Sequence, residues 1–229
     1  MATISMISRN GQKPTKGESV YQALRQQILT SALPAGAAVS ERMLAERLDV
    51  GKAPVRVAIQ RLAAEGFLTI EPRRGIRITE QSVQDVLDLF QVRILMEQLV
   101  VRKIAGRLRP LQITRLHENL QDYKAAASIP DLDAMIRTDF AFHRLLAEFH
   151  GNRQLGLMLE RTLDSLYREI RNTMRVRHRA EERLGEHQRI VEALISGDGE
   201  SAEQALVSHL RSGQRFVMSR GDALVMSGG

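Results

Sequence analysis

The chain changes rhythm three times. Residues 1–17 carry no apolar period, with Gly11, Pro14 and Gly17 spread through a polar stretch, and predict a flexible arm. From Glu18 the period becomes helical, with Val20, Leu24 and Ile28 on one face. That helix should stop near Ser31, ahead of the turn signal Leu33-Pro34-Ala35-Gly36. Ser40 is placed to cap a short second helix carrying Leu44 and Leu48, which Asp49-Val50-Gly51 breaks. A third helix starts around Ala53-Pro54, where a first-turn proline gives up no hydrogen bond. Val55, Ile59 and Leu62 form its apolar face, and Gly66 ends it. The period then falls to two: Phe67–Ile70 and Ile76–Thr79 alternate as strands about the tight turn Glu71-Pro72-Arg73-Arg74-Gly75.

From about Ser82 the period is helical throughout. Helices are predicted near 82–107, 111–127, 131–149, 153–177, 180–196 and 200–218. The breaks are Arg109-Pro110, Ile129-Pro130, Gly151-Asn152 and Gly197-Asp198-Gly199, and residues 220–229 read as a loose tail. The expected fold is therefore mainly α. A winged helix-turn-helix of three helices and a two-stranded wing occupies 18–80, and an antiparallel all-α bundle occupies 81–219.

Composition narrows the function. With 43% hydrophobic residues, each part can bury a core. The chain has no cysteine, which excludes disulfides, thiolate metal sites and cysteine nucleophiles and suits a reducing cytosol. Its first residues lack the apolar run of a signal peptide, and no later run approaches a membrane span, so a cytoplasmic location without membrane association is expected. Net charge is +6 and unevenly spread: residues 1–80 hold 12 Lys/Arg against 7 Asp/Glu, whereas 81–229 hold 21 against 20. Binding to a phosphate backbone needs that asymmetry, although a solvated basic surface also produces it.

Three short helices and a hairpin form a recurring DNA-binding plan in which the third helix enters the major groove. Its polar face carries Lys52, Arg56, Gln60 and Arg61, and the hairpin tip offers Arg73, Arg74 and Gly75. Arginine can fork onto a guanine edge and glutamine onto adenine. Residues 20–79 resemble the winged helix-turn-helix of the GntR superfamily, through LPAGAAVSERMLAERLDV (33–50), KAPVRVAIQRLAAEGFLTI (52–70) and RRGIRI (73–78). The resemblance implies DNA contacts at Arg42, Lys52 and Arg56, with Gly75 at the wing tip, and the hairpin-tip reading adds Arg74 beside it. Gly51, Lys52, Ala53 and Val57 depart from the family's usual residues. Lysine cannot fork as arginine does, so either an operator different from the common half-site or a weaker base contact at that position is expected.

In the helical part, ionisable residues stand on apolar faces. Asp139 and His143 are four apart among Met135, Ile136, Phe140 and Leu146. His187 is in register with Ile190, Val191 and Leu194, and His209 with Ala202, Ala205, Leu206, Phe216 and Val217. A single core histidine is ordinarily satisfied by a backbone carbonyl. Three imidazoles and a carboxylate converging on a divalent cation would offset their burial together. His117, His150 and His178 fit no shared face and read as surface or structural residues. Residues 82–218 resemble the FCD effector domain of the FadR branch of GntR regulators, through DFAFH (139–143), Gly151-Asn152, HQRIVEALISGD (187–198) and His209 in ALVSHL. The resemblance implies a divalent metal, zinc first, with nickel, manganese and iron also compatible, on Asp139, His143, His187 and His209.

Arg93 and Glu97 share an apolar stripe with Val86, Phe90, Val100 and Ile104. They either pair along the helix or, as the resemblance suggests, Arg93 lines the effector pocket and meets an anion. Leu89, Val92, Met96 and Leu99 read as core or dimer seam. The leading expectation is a homodimeric, ligand-responsive regulator, a repressor in most of the family, that binds a palindromic operator in double-stranded DNA and senses a small organic acid. The alternatives are a metal-dependent enzyme using the Asp/His set, which leaves the helix-turn-helix unexplained, and a direct metal sensor. The expectation is of a regulator and not an enzyme.

Overall fold

The computed structural model describes residues 15–129, 131–173 and 180–226. Residues 1–14 of the predicted arm and His178 lie outside the described residues. The chain divides into two compact units, residues 1–80 and 81–229.

In the first unit, Thr15 caps α1 (Lys16–Leu29), its hydroxyl accepting from the Glu18 N–H at 3.2 Å. Ser40 does the same for α2 (Glu41–Leu48), accepting from the Met43 N–H at 3.2 Å. Asp49 ends α2 in the left-handed region, and Gly51 opens α3 (Lys52–Ala64). Leu24, Ile28, Leu44, Val55, Ile59 and Leu62 are buried together with Phe67, Leu68 and Ile78 of the hairpin side. The wing is three-stranded rather than two-stranded. β1 (Ala38–Val39) pairs antiparallel with β3 (Gly75–Ile78), which pairs in turn with β2 (Leu68–Glu71). The pairs Ala38 with Arg77 and Val39 with Ile76 fix the added strand. Two residues are too few to show alternation, so the period could not announce it. At the hairpin tip Gly75 has φ +101°, which a side chain would strain.

The second unit is entirely helical among its described residues: α4 (Val83–Ile104), α5 (Pro110–Ser128), α6 (Leu132–His150), α7 (Arg153–Thr173), α8 (Ala180–Ser196) and α9 (Gly199–Met226). Ser82 and Asp85 form a capping box at the start of α4. Gly151 closes α6 with φ +77°. Helix α9 packs against both α4 and α8, while α6 packs against α4, α5 and α7. One core gathers Val100, Val101, Leu116, Phe142, Leu146, Ile190, Leu194 and Leu206, and a second gathers Phe90, Phe140, Leu163 and Leu166. Helix α9 runs to Met226, into the segment expected to be a loose tail. Gly221 alone does not stop it, since one glycine costs a helix only about 1 kcal/mol, and Ala223, Leu224 and Met226 follow it. Among the described residues no helix is long and apolar enough to cross a membrane.

Candidate metal centre and nucleic-acid interface

In the first unit the basic side chains fall into two groups. Arg42, Lys52, Arg56, Gln60, Arg73, Arg74 and Gly75 are exposed. Arg56 is held by Glu41 across the α2–α3 turn, and Arg42 pairs with Glu46 on its own helix at 3.1 Å. Arg61 behaves differently from its neighbours on α3. Its guanidinium lies 3.6 Å over the Tyr21 ring and bonds Glu18 and Glu65, so it ties α3 to α1. Arg77 likewise bonds Glu71 and the Gly36 carbonyl, bracing the sheet against the loop before β1.

In the second unit, the four ligand-type residues singled out on apolar faces meet. Asp139 and His143 come from α6, His187 from α8 and His209 from α9, and one ligand atom from each lies within 4.8 Å of all the others. All four are buried, and the three histidines are wholly so. The Nε2 atoms of His143 and His209 are 3.2 Å apart, and those of His187 and His209 3.3 Å apart. Asp139 Oδ1 is 3.4 Å from His187 Nε2.

The outer contacts decide which ring nitrogens carry protons. His143 Nδ1 is 2.5 Å from Glu97 Oε2, and His209 Nδ1 is 2.8 Å from Glu186 Oε2. A neutral imidazole donating from Nδ1 to a carboxylate presents a bare lone pair at Nε2. Two such lone pairs therefore face each other at 3.2 Å in the buried core. That arrangement is repulsive unless a proton or a cation stands between them, and carboxylate–histidine pairs of this kind orient metal ligands. The residues present thus fit a divalent ion. His187 is packed flat on Phe142 at 4.2 Å, edge-on to Tyr123, and its Nδ1 has no partner among the described residues.

Electrostatics favour the ligating forms. Burial, reinforced by Arg93, pushes His143 down to about 4 despite Glu97 and Asp139 beside it. Burial and the neighbouring His187 and Arg183 hold His209 well below the usual histidine range. Burial opposes ionisation of Asp139, yet Arg183 and His187 outweigh it and keep the carboxyl well below its ordinary value. Burial is likewise overcome at Glu97, where His143 and Arg93 bring it to about 2. At neutral pH the site therefore offers His143 and His209 as neutral imidazoles and Asp139 as an ionised carboxylate, the forms that bind metal.

Arg93 bonds Glu97 at 2.6 Å, so the pairing along α4 is present. Arg93 also lines a cavity with Asp139 and Arg183, and its Nη2 is buried without a hydrogen-bond partner among the described residues. Sequence reasoning missed Glu97 as the partner of His143, Glu186 as the partner of His209, and Arg183, which grips Asp139 Oδ1 through Nε and Nη2 at 3.1 and 3.0 Å. Arg183 was detectable, since it lies one turn before His187 on the apolar face of α8. His117 is exposed, and His150 is buried with Nδ1 unpartnered among the described residues.

Comparison with known proteins places both units. Residues 16–78 match the family described as bacterial regulatory proteins, gntR family, and residues 88–212 match the FCD domain. The chain is 31% identical over 192 residues to the HTH-type transcriptional regulator YdhC of Bacillus subtilis, covering 82% of this chain and 85% of that protein. It is 29% identical over 196 residues to the HTH-type transcriptional repressor RspR of Escherichia coli, covering 85% of each. Among solved structures, E. coli McbR/YncC superposes with a TM-score of 0.81 at 20% identity, over 90% of this chain and 99% of that one, a likeness of fold. The chain therefore belongs to the GntR family of bacterial regulatory proteins, its helix-turn-helix unit followed by an FCD domain, and is a DNA-binding transcriptional regulator.

Proposed function

We propose that this regulator is a cytoplasmic homodimeric repressor whose helical unit holds one divalent ion, zinc first among the candidates, and releases DNA when a small organic acid enters beside that ion. The observation that carries the reading is the pair of inward-facing Nε2 lone pairs on His143 and His209, with Asp139 and His187 completing the set. Three neutral imidazoles and one carboxylate leave a divalent ion with a formal charge of +1, and Arg93, its charge balanced by Glu97, brings a hydrogen-bond donor to the cavity. Such a pocket prefers an anion that can chelate. Zinc in a closed structural site is four-coordinate, whereas a site that works on a ligand keeps a position open.

On the DNA side, Lys52 and Arg56 of α3 read base edges, and Arg42, Arg74 and the Gly75 backbone engage phosphate or the minor groove. A dimer places two such heads on a palindromic operator. An exposed apolar stripe on α4, formed by Val92 at 44%, Leu95 at 70% and Leu99 at 55% exposure, supports the dimer. Leu89 and Met96, from the same stripe in sequence, pack against the cores instead. Effector binding favours a state with weaker operator affinity, a coupling of about 5–150-fold in such systems. The name of RspR as a repressor supports that direction.

The test is elemental analysis of the purified protein followed by electrophoretic shift assays with and without chelator. One divalent ion per chain, and operator binding weakened by an organic acid only when the ion is present, is the expected result. Metal-free protein of full stability and unchanged response would sink the reading. Metal-dependent DNA binding that no acid alters would replace it with direct metal sensing.

A further inference from the structure

The cavity beside the candidate metal centre has a composition that selects its ligand. The cavity has a volume of about 40 Å³, where one water needs roughly 10–15 Å³. Its walls are apolar nearly throughout: Phe90, Ile136, Phe140, Ile170, Phe216 and Val217 supply most of them. The polar residues are Arg93, Asp139, Arg183 and Tyr123. Asp139 and Arg183 are already committed to each other, at 3.0 and 3.1 Å. Arg93 Nε is committed to Glu97. Tyr123 is likewise engaged, and Arg93 Nη2 stands out as a donor on a side chain only 1% exposed with no hydrogen-bond partner among the described residues, on the same cavity wall as Asp139 of the metal set.

We propose that the effector is a compact monocarboxylate with an apolar, unhydroxylated body, its carboxylate taken by the metal and Arg93 and its body seated among the phenylalanines. This rests on the reading that the cavity is the effector site. Two physical terms carry it. Hydroxyl groups buried among Phe90, Phe140 and Phe216 would lose their water without a replacement donor or acceptor, at roughly tenfold in affinity for each group or more. An alkyl or aryl body instead gains from leaving water, by about fourfold for each buried methylene. A polyhydroxylated sugar acid is therefore the wrong shape of chemistry for this cavity even though its carboxylate suits the metal.

The experiment is isothermal titration of the metal-loaded full-length protein with isovalerate, benzoate and hexanoate against lactate and gluconate, all monoanions at pH 7.5. The same acids are then added to the operator complex. At least one of the first three acids should bind tenfold or more tightly than either hydroxy acid. Gly213→Ala places a methyl 3.4 Å from Arg183 Nη1 and 3.8 Å from Phe90 Cε1. It should keep the fold and weaken the bulkier apolar acids at least fivefold. Arg93→Lys should weaken all acids alike. Tighter binding of lactate or gluconate overturns the inference and leaves the sensing proposal standing. Failure of every acid to bind overturns both. The expected order of binding without release of DNA supports the inference and overturns only the signalling step.

Discussion

Glu41 holds Arg56 with two hydrogen bonds, 3.1 Å to Nε and 2.9 Å to Nη2, so a residue of α2 sets the aim of the central arginine on α3. With that edge of the guanidinium occupied, Arg56 presents its Nη1 end. A fixed fork loses less freedom on meeting a base than a free side chain does. Arg56→Ala should weaken operator binding about 5–150-fold while leaving binding to random DNA much less changed. Glu41→Gln loosens the alignment and removes a negative charge beside the exposed arginine. Affinity for random duplex should rise and the operator preference should fall, as read by competition shift assays at fixed salt. An unchanged ratio of specific to non-specific binding would separate the pair from DNA reading.

Glu97 orients His143 without belonging to the ligand set, and this predicts a graded loss. Glu97→Gln should lower metal affinity by about 10–100-fold, the range typical of outer carboxylates. His187→Ala should abolish stoichiometric metal. Competition with a chromogenic chelator measures both. Since histidine must be neutral to ligate and burial brings His143 down to about 4, occupancy should hold through pH 6 and fall as pH approaches that value. Equal metal affinity in wild type and Glu97→Gln would remove the orienting role.

Asp139 and Arg183 form an ion pair in the core, 6% and 10% exposed at the side chains. Removing one partner strands the other. In metal-free protein, Asp139→Ala should lower stability by roughly 3–5 kcal/mol, because the Arg183 guanidinium is left buried. The paired change Asp139→Ala with Arg183→Met should recover much of that loss. Urea unfolding followed by circular dichroism reads both. Failure of the double variant to recover stability would mean that the cavity, rather than the stranded charge, sets the cost.

Tyr21 gives the DNA-binding unit an alkaline limit. Burial first, and then its hydrogen bond to Glu65 at 2.7 Å, raise the phenol above its ordinary value of 10.0. The unfolded chain loses this proton at about pH 10, earlier than the folded chain does. The stabilisation is therefore complete below pH 10 and is lost as pH climbs through the folded value. The melting temperature should drop steeply above pH 10. Tyr21→Phe should start lower at pH 8, through loss of the hydrogen bond, and fall less steeply. Parallel curves for the two proteins would remove Tyr21 as the cause.

Legibility of this fold in its sequence followed distance along the chain. Helices such as α6 were readable because Met135, Ile136, Phe140 and Leu146 repeat on one face, and the same register exposed Asp139 and His143 as out of place. β1 was not readable, since its pairing depends on β3 some 38 residues away and its two residues have no period of their own. The links Glu97 to His143 and Glu186 to His209 depend on where helices cross, at separations of 46 and 23 residues. No local pattern records such crossings. The spread of α9 beyond residue 219 escaped because Gly221 and the polar residues around it resemble a stop.

His143 and His209 are 66 residues apart in the chain and 3.2 Å apart in space. A cation joining them would act as a cross-link in a protein that has no cysteine for a disulfide. By loop-closure arithmetic, tying off about 66 residues withholds roughly 4 kcal/mol of disorder from the unfolded chain. Loss of the ion would then do more than silence a sensor. It would open the topological ring that links α6 to α9, shorten the lifetime of the folded helical unit, and leave the chain exposed to proteolysis. Turnover of the regulator in a metal-starved cell is then governed by the same residues that would govern its response.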